Sequence, residues 1–337
     1  MSVRACILGC AGLSLTPNER EFFAKSHPLG LILFKRNVEN AAQVIELIRS
    51  FRAIVGRADA PVLIDQEGGR VQRLGPPNWP SFPPAAHFGE IYARDPAKGI
   101  AAARLGGRLI AAELSALGIN VDCLPVADLR RPEGHGVIGD RAYGPDPETV
   151  SRLGRAAAEG LLEGGVLPVV KHMPGHGRAR ADTHHELPVV ETPLNELERT
   201  DFEAFRRLND LPIGMTAHVV YAAVDAKRPA TFSPTLIDEV IRGSIGFDGL
   251  LLTDDLSMNA LSGSLGARTR AAFSAGCDIA LHCNGKLPEM EEVADASPPL
   301  QSAAERRAKA ALSRLKTRPD NVDVAEARAR FSAMIAA

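Results

Sequence analysis

Short apolar runs alternate along nearly the whole chain with stretches whose apolar residues recur at helical spacing. That order is expected of a parallel sheet covered by helices. The runs predict strands over 3–8, 31–34, 62–65, 119–123, 167–170, 213–216, 250–253 and 279–282. Helical patterns lie between them over 40–55, 101–117, 147–163, 194–208, 234–242 and 267–275. In 101–117, Leu105, Leu109 and Ala112 share one face, and Gly118 supplies a C-terminal stop. Eight strands with intervening helices predict an α/β fold, a TIM (β/α)8 barrel forming a single domain over 1–337. Residues from about 297 onward read as an Ala/Arg-rich helical extension packing outside the barrel. The start of the chain superficially resembles a lipid-attachment signal at "ILGC". Too few apolar residues precede Cys10 for an export segment of about 7–15 residues, so this stretch reads as the first strand.

Composition narrows the class of partner. Over 337 residues, 39 Lys+Arg stand against 41 Asp+Glu, a net charge of -2, without the basic excess that nucleic acid or an anionic membrane would reward. No apolar run approaches the roughly 18 residues of a membrane span. Aromatic residues make up only 5%, with Trp79 the one tryptophan, which argues for a compact pocket over a long stacking cleft. The expected partner is a small molecule, with no nucleic acid and no membrane, and the expected state is a monomer. Five cysteines, Cys6, Cys10, Cys123, Cys277 and Cys283, sit at scattered spacings with no disulfide framework, which suits reduced thiols in the cytoplasm.

Polar and ionisable residues gather where the predicted strands end: Asp65, Asp128, Lys171 with His172, His218, and Asp254. In a barrel these ends share one rim, where active sites sit. Four of the nine histidines, His172, His176, His184 and His185, fall within "KHMPGHGRARADTHHELP" together with Asp182. Three explanations are open: a metal site, an acid/base pair in which Asp182 fixes the tautomer of His184, or a polar surface loop. Pro174, Gly175, Gly177 and Pro188 favour a loop that carries a base to a substrate.

"GLLLTDDLSM" sets Asp254 and Asp255 at the end of a buried strand, where alternation lets only one face the barrel mouth. "LIDQEGGRVQRL" places Asp65 and Arg73 eight residues apart, with Glu67 and Arg70 between them; alone it reads equally as a carboxylate and a guanidinium binding vicinal sugar hydroxyls or as a structural turn. Its glycines are too close together for a nucleotide fingerprint. Arg141 precedes a helix start marked by Pro147; by itself it reads better as a solvated side chain than as a ligand-binding one.

Taken together, "IDQEGGRVQR", "KHMPGHG" followed by "DTHHELP", and "TDDLSM" closely resemble the bacterial β-N-acetylhexosaminidases of glycoside hydrolase family 3, the NagZ type. The resemblance runs from the first strand to about Cys283. It implies a catalytic barrel that removes terminal β-linked N-acetylglucosamine with retention, typically from peptidoglycan fragments during cell-wall recycling. It further implies Asp254 as nucleophile, His184 as acid/base, Asp182 as the partner of His184, and Asp65, Arg73, Arg141, Lys171 and His172 as sugar-binding residues. No cofactor and no metal are expected. Met173 and Thr253 stand where the family commonly has Phe and Ser, and Ala142-Tyr143 replaces its more usual Ser-Phe. Two rival chemistries share these residues: a phosphorylase, with phosphate in place of water as acceptor, and a metal-dependent hydrolase holding its ion with His172, His176, Asp182 and His184. A non-catalytic sugar-binding protein would have no use for Asp254 together with the Asp182–His184 pair.

Overall fold

The computed structural model describes residues 2–132, 134, 136–180, 187–315 and 322–336. Eight parallel strands close into a barrel. They are β1 (Arg4–Leu8), β2 (Pro28–Leu33), β3 (Val62–Ile64), β4 (Val121–Asp122), β5 (Leu167–Met173), β6 (Ile213–Thr216), β7 (Leu250–Asp255) and β8 (Ile279–His282). Each strand pairs with its neighbours in sequence, and β1 closes on β8 with Cys6 opposite Ala280 and Leu8 opposite His282. All eight predicted strands are present, and those over 213–216 and 279–282 match to the residue.

Alternation along the strands builds two cores. Ile7, Ile32, Leu63, Val121, Val169, Met215, Leu252 and Leu281 fill the barrel interior. Their neighbours Leu8, Leu31, Ile64, Val170, Leu251 and Ala280 face outward beneath the helices. Strands buried on both faces must be apolar throughout, which is why they read as continuous runs.

The helical layer includes α1 (Pro17–Ser26), α2 (Ala41–Val55), α3 (Ala85–Arg94), α4 (Pro96–Leu117) and α5 (Pro147–Glu163). The Asp146 side chain caps α5 on the Thr149 N–H, and Gly118 ends α4 at φ 85°. α4 begins five residues before its predicted start at 101, because Asp95 caps Lys98 and Pro96 opens the first turn. α4 and α5 approach closely through glycine: a methyl group on Gly107 would lie 2.3 Å from the Ala157 carbonyl oxygen.

The predicted helix over 194–208 is broken into α6 (Leu194–Arg199) and α7 (Asp201–Arg206). At the break, the Thr200 hydroxyl bonds the Glu196 carbonyl at 2.7 Å and the buried Asp201 carboxylate at 2.8 Å. The stretch predicted over 234–242 is a π-helical segment, Leu236–Ser244. After α8 (Leu265–Ala275) and α9 (Leu287–Ala296), the extension provides α10 (Ser302–Leu312) and α11 (Val324–Ile335). α10 does more than lie outside the barrel. Ala308, Ala311 and Leu312 meet Leu29, Pro61, Ile213 and Leu250 at the N-terminal ends of the strands and cover the barrel floor. Arg307 ties this helix to Asp278 at 3.0 Å.

Candidate active site

The opposite, C-terminal rim carries the chemistry. After β3 the chain folds back in a two-stranded hairpin, Gln66–Gly68 against Val71–Gln72. Gly68 and Gly69 take φ of 90° and 56°, and a methyl group on Gly68 would lie 2.4 Å from the Pro83 carbonyl oxygen, so this turn needs glycine. The buried Gln66 carboxamide pins the return, its Oε1 accepting from the backbone N–H groups of Arg73 and Leu74 at 3.0 Å each. Arg73 is thereby brought back onto Asp65, with Nη2 2.7 Å from Oδ2.

Lys171, on β5, places Nζ 3.0 Å from Asp65 Oδ1 and 2.7 Å from Glu67 Oε1. Glu67 in turn receives Arg141 through Nε and Nη2, both at 2.8 Å. A chain of alternating charge results: Arg73, Asp65, Lys171, Glu67, Arg141. Burial would raise both carboxyl pKa values, but for Asp65 the charges of Lys171 and Arg73 prevail and hold it far below the carboxylate range. For Glu67, Arg141 and Lys171 overcome the same penalty and bring it to about 2. With three cations to two anions, the chain presents fixed donors to a neutral polyhydroxylated ligand.

His172, next along the strand, is held by Asp128. The carboxylate accepts the His172 ring Nδ1–H at 2.7 Å, the His172 backbone N–H at 3.2 Å and the His176 backbone N–H at 2.6 Å. Nδ1–H on Asp128 leaves Nε2 of His172 for a ligand. The rings of His172 and His176 meet edge to face at 5.7 Å. Burial lowers the His176 pKa to about 4, so this ring is neutral at pH 7, and its Nδ1 has no hydrogen-bond partner among the described residues.

Asp254 and Asp255 end β7 and both border the cavity at the barrel mouth, so the expectation that only one could face the mouth is not met; what separates them is what their carboxylates bind. Asp255 spends its carboxylate on the Ser257 N–H at 3.0 Å, the Ser257 hydroxyl at 2.7 Å and the Cys283 N–H at 3.1 Å. Its own N–H donates to Asp254 Oδ1 at 2.8 Å. Asp254 is half-buried, yet its pKa lies below the ordinary carboxylate value. Desolvation is outweighed by His172, His218, the Asp255 N–H and Lys171.

These side chains enclose a cavity of about 280 Å³. Asp65, Arg73, Arg141, Lys171, His172 and Asp254 all line it, with Glu67 and His176, against an apolar wall including Phe34, Met215 and Met258. Strands β3 and β7 stand four places apart in a ring of eight, so Asp65 and Asp254 face each other across the mouth. Asp182 and His184 lie outside the described residues, as does His185. The segment before them is anchored at Arg178, whose Nε reaches Asp201 at 2.7 Å, and at Gly175, whose carbonyl accepts the Tyr221 hydroxyl. Among the described residues, no group of three or more His, Cys, Asp or Glu side chains is disposed to hold a metal ion.

Sequence reasoning noticed Glu67 and Asp128 without giving them a part in the site. The signal for Glu67 was its place in the Asp65–Arg73 segment; its partner Arg141 is 74 residues away. Asp128 was marked by its position at a strand end.

The glycosyl hydrolase family 3 N-terminal domain model matches residues 8–317. A β-hexosaminidase from Bordetella avium is 42% identical over 282 residues, covering 81% of this chain and 79% of that protein. One from Chromobacterium violaceum is 41% identical over 305 residues, 88% of this chain and 83% of its own. Among solved structures, NagZ from Neisseria gonorrhoeae in complex with N-trifluoroacetyl-D-glucosamine superposes with a TM-score of 0.88 at 32% identity, covering 99% of each chain. A glycoside hydrolase family 3 β-N-acetylglucosaminidase from Paenibacillus does so with a TM-score of 0.79 at 32% identity, covering 98% of this chain and 61% of that one. The barrel, its charged rim and these relatives agree: the chain belongs to glycosyl hydrolase family 3, among the β-N-acetylhexosaminidases of the NagZ type.

Proposed function

We propose that this enzyme is an exo-acting, retaining β-N-acetylglucosaminidase that releases terminal N-acetylglucosamine from peptidoglycan-derived fragments in the cytoplasm. One observation carries the chemistry: an ionised, half-buried Asp254 facing the Arg73–Asp65–Lys171–Glu67–Arg141 chain across a cavity sized for a single sugar. Glycosidic cleavage passes through an oxocarbenium-like transition state, which a carboxylate beneath the ring stabilises and then captures. Asp254 attacks the anomeric carbon as the bond to the leaving oxygen breaks. His184, oriented by Asp182, gives that oxygen a proton and later takes one from the water that hydrolyses the glycosyl ester. Asp65, Arg73, Arg141, Lys171 and His172 bind the sugar's polar groups. The gonococcal NagZ structure in complex with N-trifluoroacetyl-D-glucosamine supports a 2-acylamino sugar as the ligand class. The β-hexosaminidase and NagZ relatives support a hexosaminide substrate, and the peptidoglycan-fragment aglycone follows from the resemblance of the motifs to the NagZ type.

Incubation with a 5-fluoro-N-acetylglucosaminyl fluoride, followed by intact-protein mass measurement and peptide mapping, tests this reading. A glycosyl adduct on Asp254 is expected. Turnover of an aryl N-acetylglucosaminide without any adduct would overturn the covalent mechanism.

A further inference from the structure

His218 follows β6 and is completely buried, yet both ring nitrogens are engaged. Nε2 lies 3.0 Å from the carbonyl oxygen of Asp255, and Nδ1 lies 2.8 Å from the hydroxyl of the buried Thr231. A carbonyl oxygen can only accept, so the proton must be on Nε2. Burial lowers the pKa of this ring against the pull of Asp254 and Asp255, keeping it neutral at pH 7; His172 adds to the lowering. Nδ1 therefore holds a lone pair and accepts the Thr231 O–H. The Thr216 hydroxyl, 2.8 Å from Thr231 Oγ1, then donates to Thr231. The Ala217 carbonyl, 3.1 Å from the same oxygen, competes for the Thr231 proton. If it took that proton, Nδ1 of a neutral ring would face oxygen with nothing between them, a costly state in the interior.

The peptide held by His218 is one step from the nucleophile candidate. Asp255 donates its N–H to Asp254 Oδ1 at 2.8 Å and accepts from His218 at its C=O. We propose that His218 is a positioning residue for Asp254: fixed as the Nε2–H tautomer by Thr231, it grips the Asp255 carbonyl and so keeps the Asp255 N–H on the Asp254 carboxylate. This inference rests on the reading of Asp254 as nucleophile only for its kinetic consequence. The geometric claim stands apart from the substrate.

The test is a carbon-13 NMR titration of the Asp254 carboxyl, assigned by its absence in Asp254→Asn, in the wild type and in His218→Phe, His218→Gln and Thr231→Val. Among the described residues, His172, Lys171, His176, Cys283, Asp255 and, across the mouth, Asp65 also face Asp254 and are intact in these variants; Thr231→Val keeps the His218 imidazole as well, so it separates loss of positioning from loss of the ring's own charge. Losing a hydrogen bond to the charged form should raise the Asp254 midpoint by about one unit in His218→Phe. Thr231→Val should move it the same way by less, and His218→Gln, which keeps an amide donor, should restore most of the wild-type value. In steady-state assays, kcat on an aryl N-acetylglucosaminide should fall about tenfold in His218→Phe with KM little changed. Should His218→Phe fail to fold, the near-isosteric Thr231→Val decides. An Asp254 titration unmoved in all the folded variants, one that moves in the His218 variants but not in folded Thr231→Val, or a Gln variant as perturbed as the Phe variant, would overturn the proposal. A wild type that turns over no hexosaminide defeats the proposed function instead and leaves the titration result intact.

Discussion

Two adjacent aspartates show how much of the site depends on single side chains. Asp254 keeps its carboxylate toward the cavity with one backbone donor on it, whereas the Asp255 carboxylate is saturated by Ser257 and Cys283. The first is open to act as the proposed nucleophile; the second holds the turn. Asp254→Ala and Asp254→Asn should each lower kcat at least about a thousandfold, roughly 4 kcal/mol of transition-state stabilisation. Inhibitor binding by calorimetry should survive in both. Asp255→Asn, which keeps one oxygen for the N–H groups and loses the other as an acceptor, should cost far less. A larger kcat loss at Asp255 than at Asp254 would exchange their roles.

At the level of elements, the rim is a set of strand ends brought into charge register. The β3 hairpin returns Arg73 to Asp65, β5 inserts Lys171 between Asp65 and Glu67, and the segment before α5 delivers Arg141. Removing one partner from such a buried network leaves the others unpaired, a loss of about 3–5 kcal/mol. Glu67 supplies a pH signature. Its pKa is lowered from 4.5 to about 2, so the unfolded chain takes up a proton before the folded one does as pH falls. The stability this group contributes is present above pH 4.5 and is lost as pH falls from there to about 2. Glu67→Gln should unfold at lower denaturant concentration at pH 7 and show a flatter decline in stability across that acid window. A decline as steep as that of the wild type would contradict the assignment. The expected helix over 194–208 was broken for a related reason: buried Asp201 is drawn to Arg178 and Thr200, and propensity along the segment cannot register that pull.

For the whole molecule, the barrel has a working end and a closed end. α10 covers the floor through Ala308 and Ala311, which are small because the interior leaves them little room. Ala311→Asp would bury an unpaired charge at that floor and should cost several kcal/mol, lowering the melting temperature by roughly 5 °C or more. Scanning calorimetry checks this, and kcat at 25 °C should change little because the active-site rim is at the other end. An unchanged melting temperature would mean that α10 does not seal the floor.

The alternation of strand and helix, and with it the (β/α)8 class, is written in the sequence. Strands buried on both faces must be apolar throughout, and helices covering them need one apolar stripe, so local pattern and global fold carry the same information. The motif segments at strand ends were legible too, because a barrel gathers those ends on one rim. Pairing was not legible. Glu67 with Arg141, Lys171 with two carboxylates, Asp128 with His172, His218 with the Asp255 carbonyl, and α10 with the barrel floor all join residues far apart in the chain. Charge and hydrogen-bond energies depend on separations of a few ångströms and on exclusion of water. Both come into being only when the barrel closes, so residue types and their candidate chemistry belong to the sequence, while their partners, ionisation and aim belong to the tertiary structure.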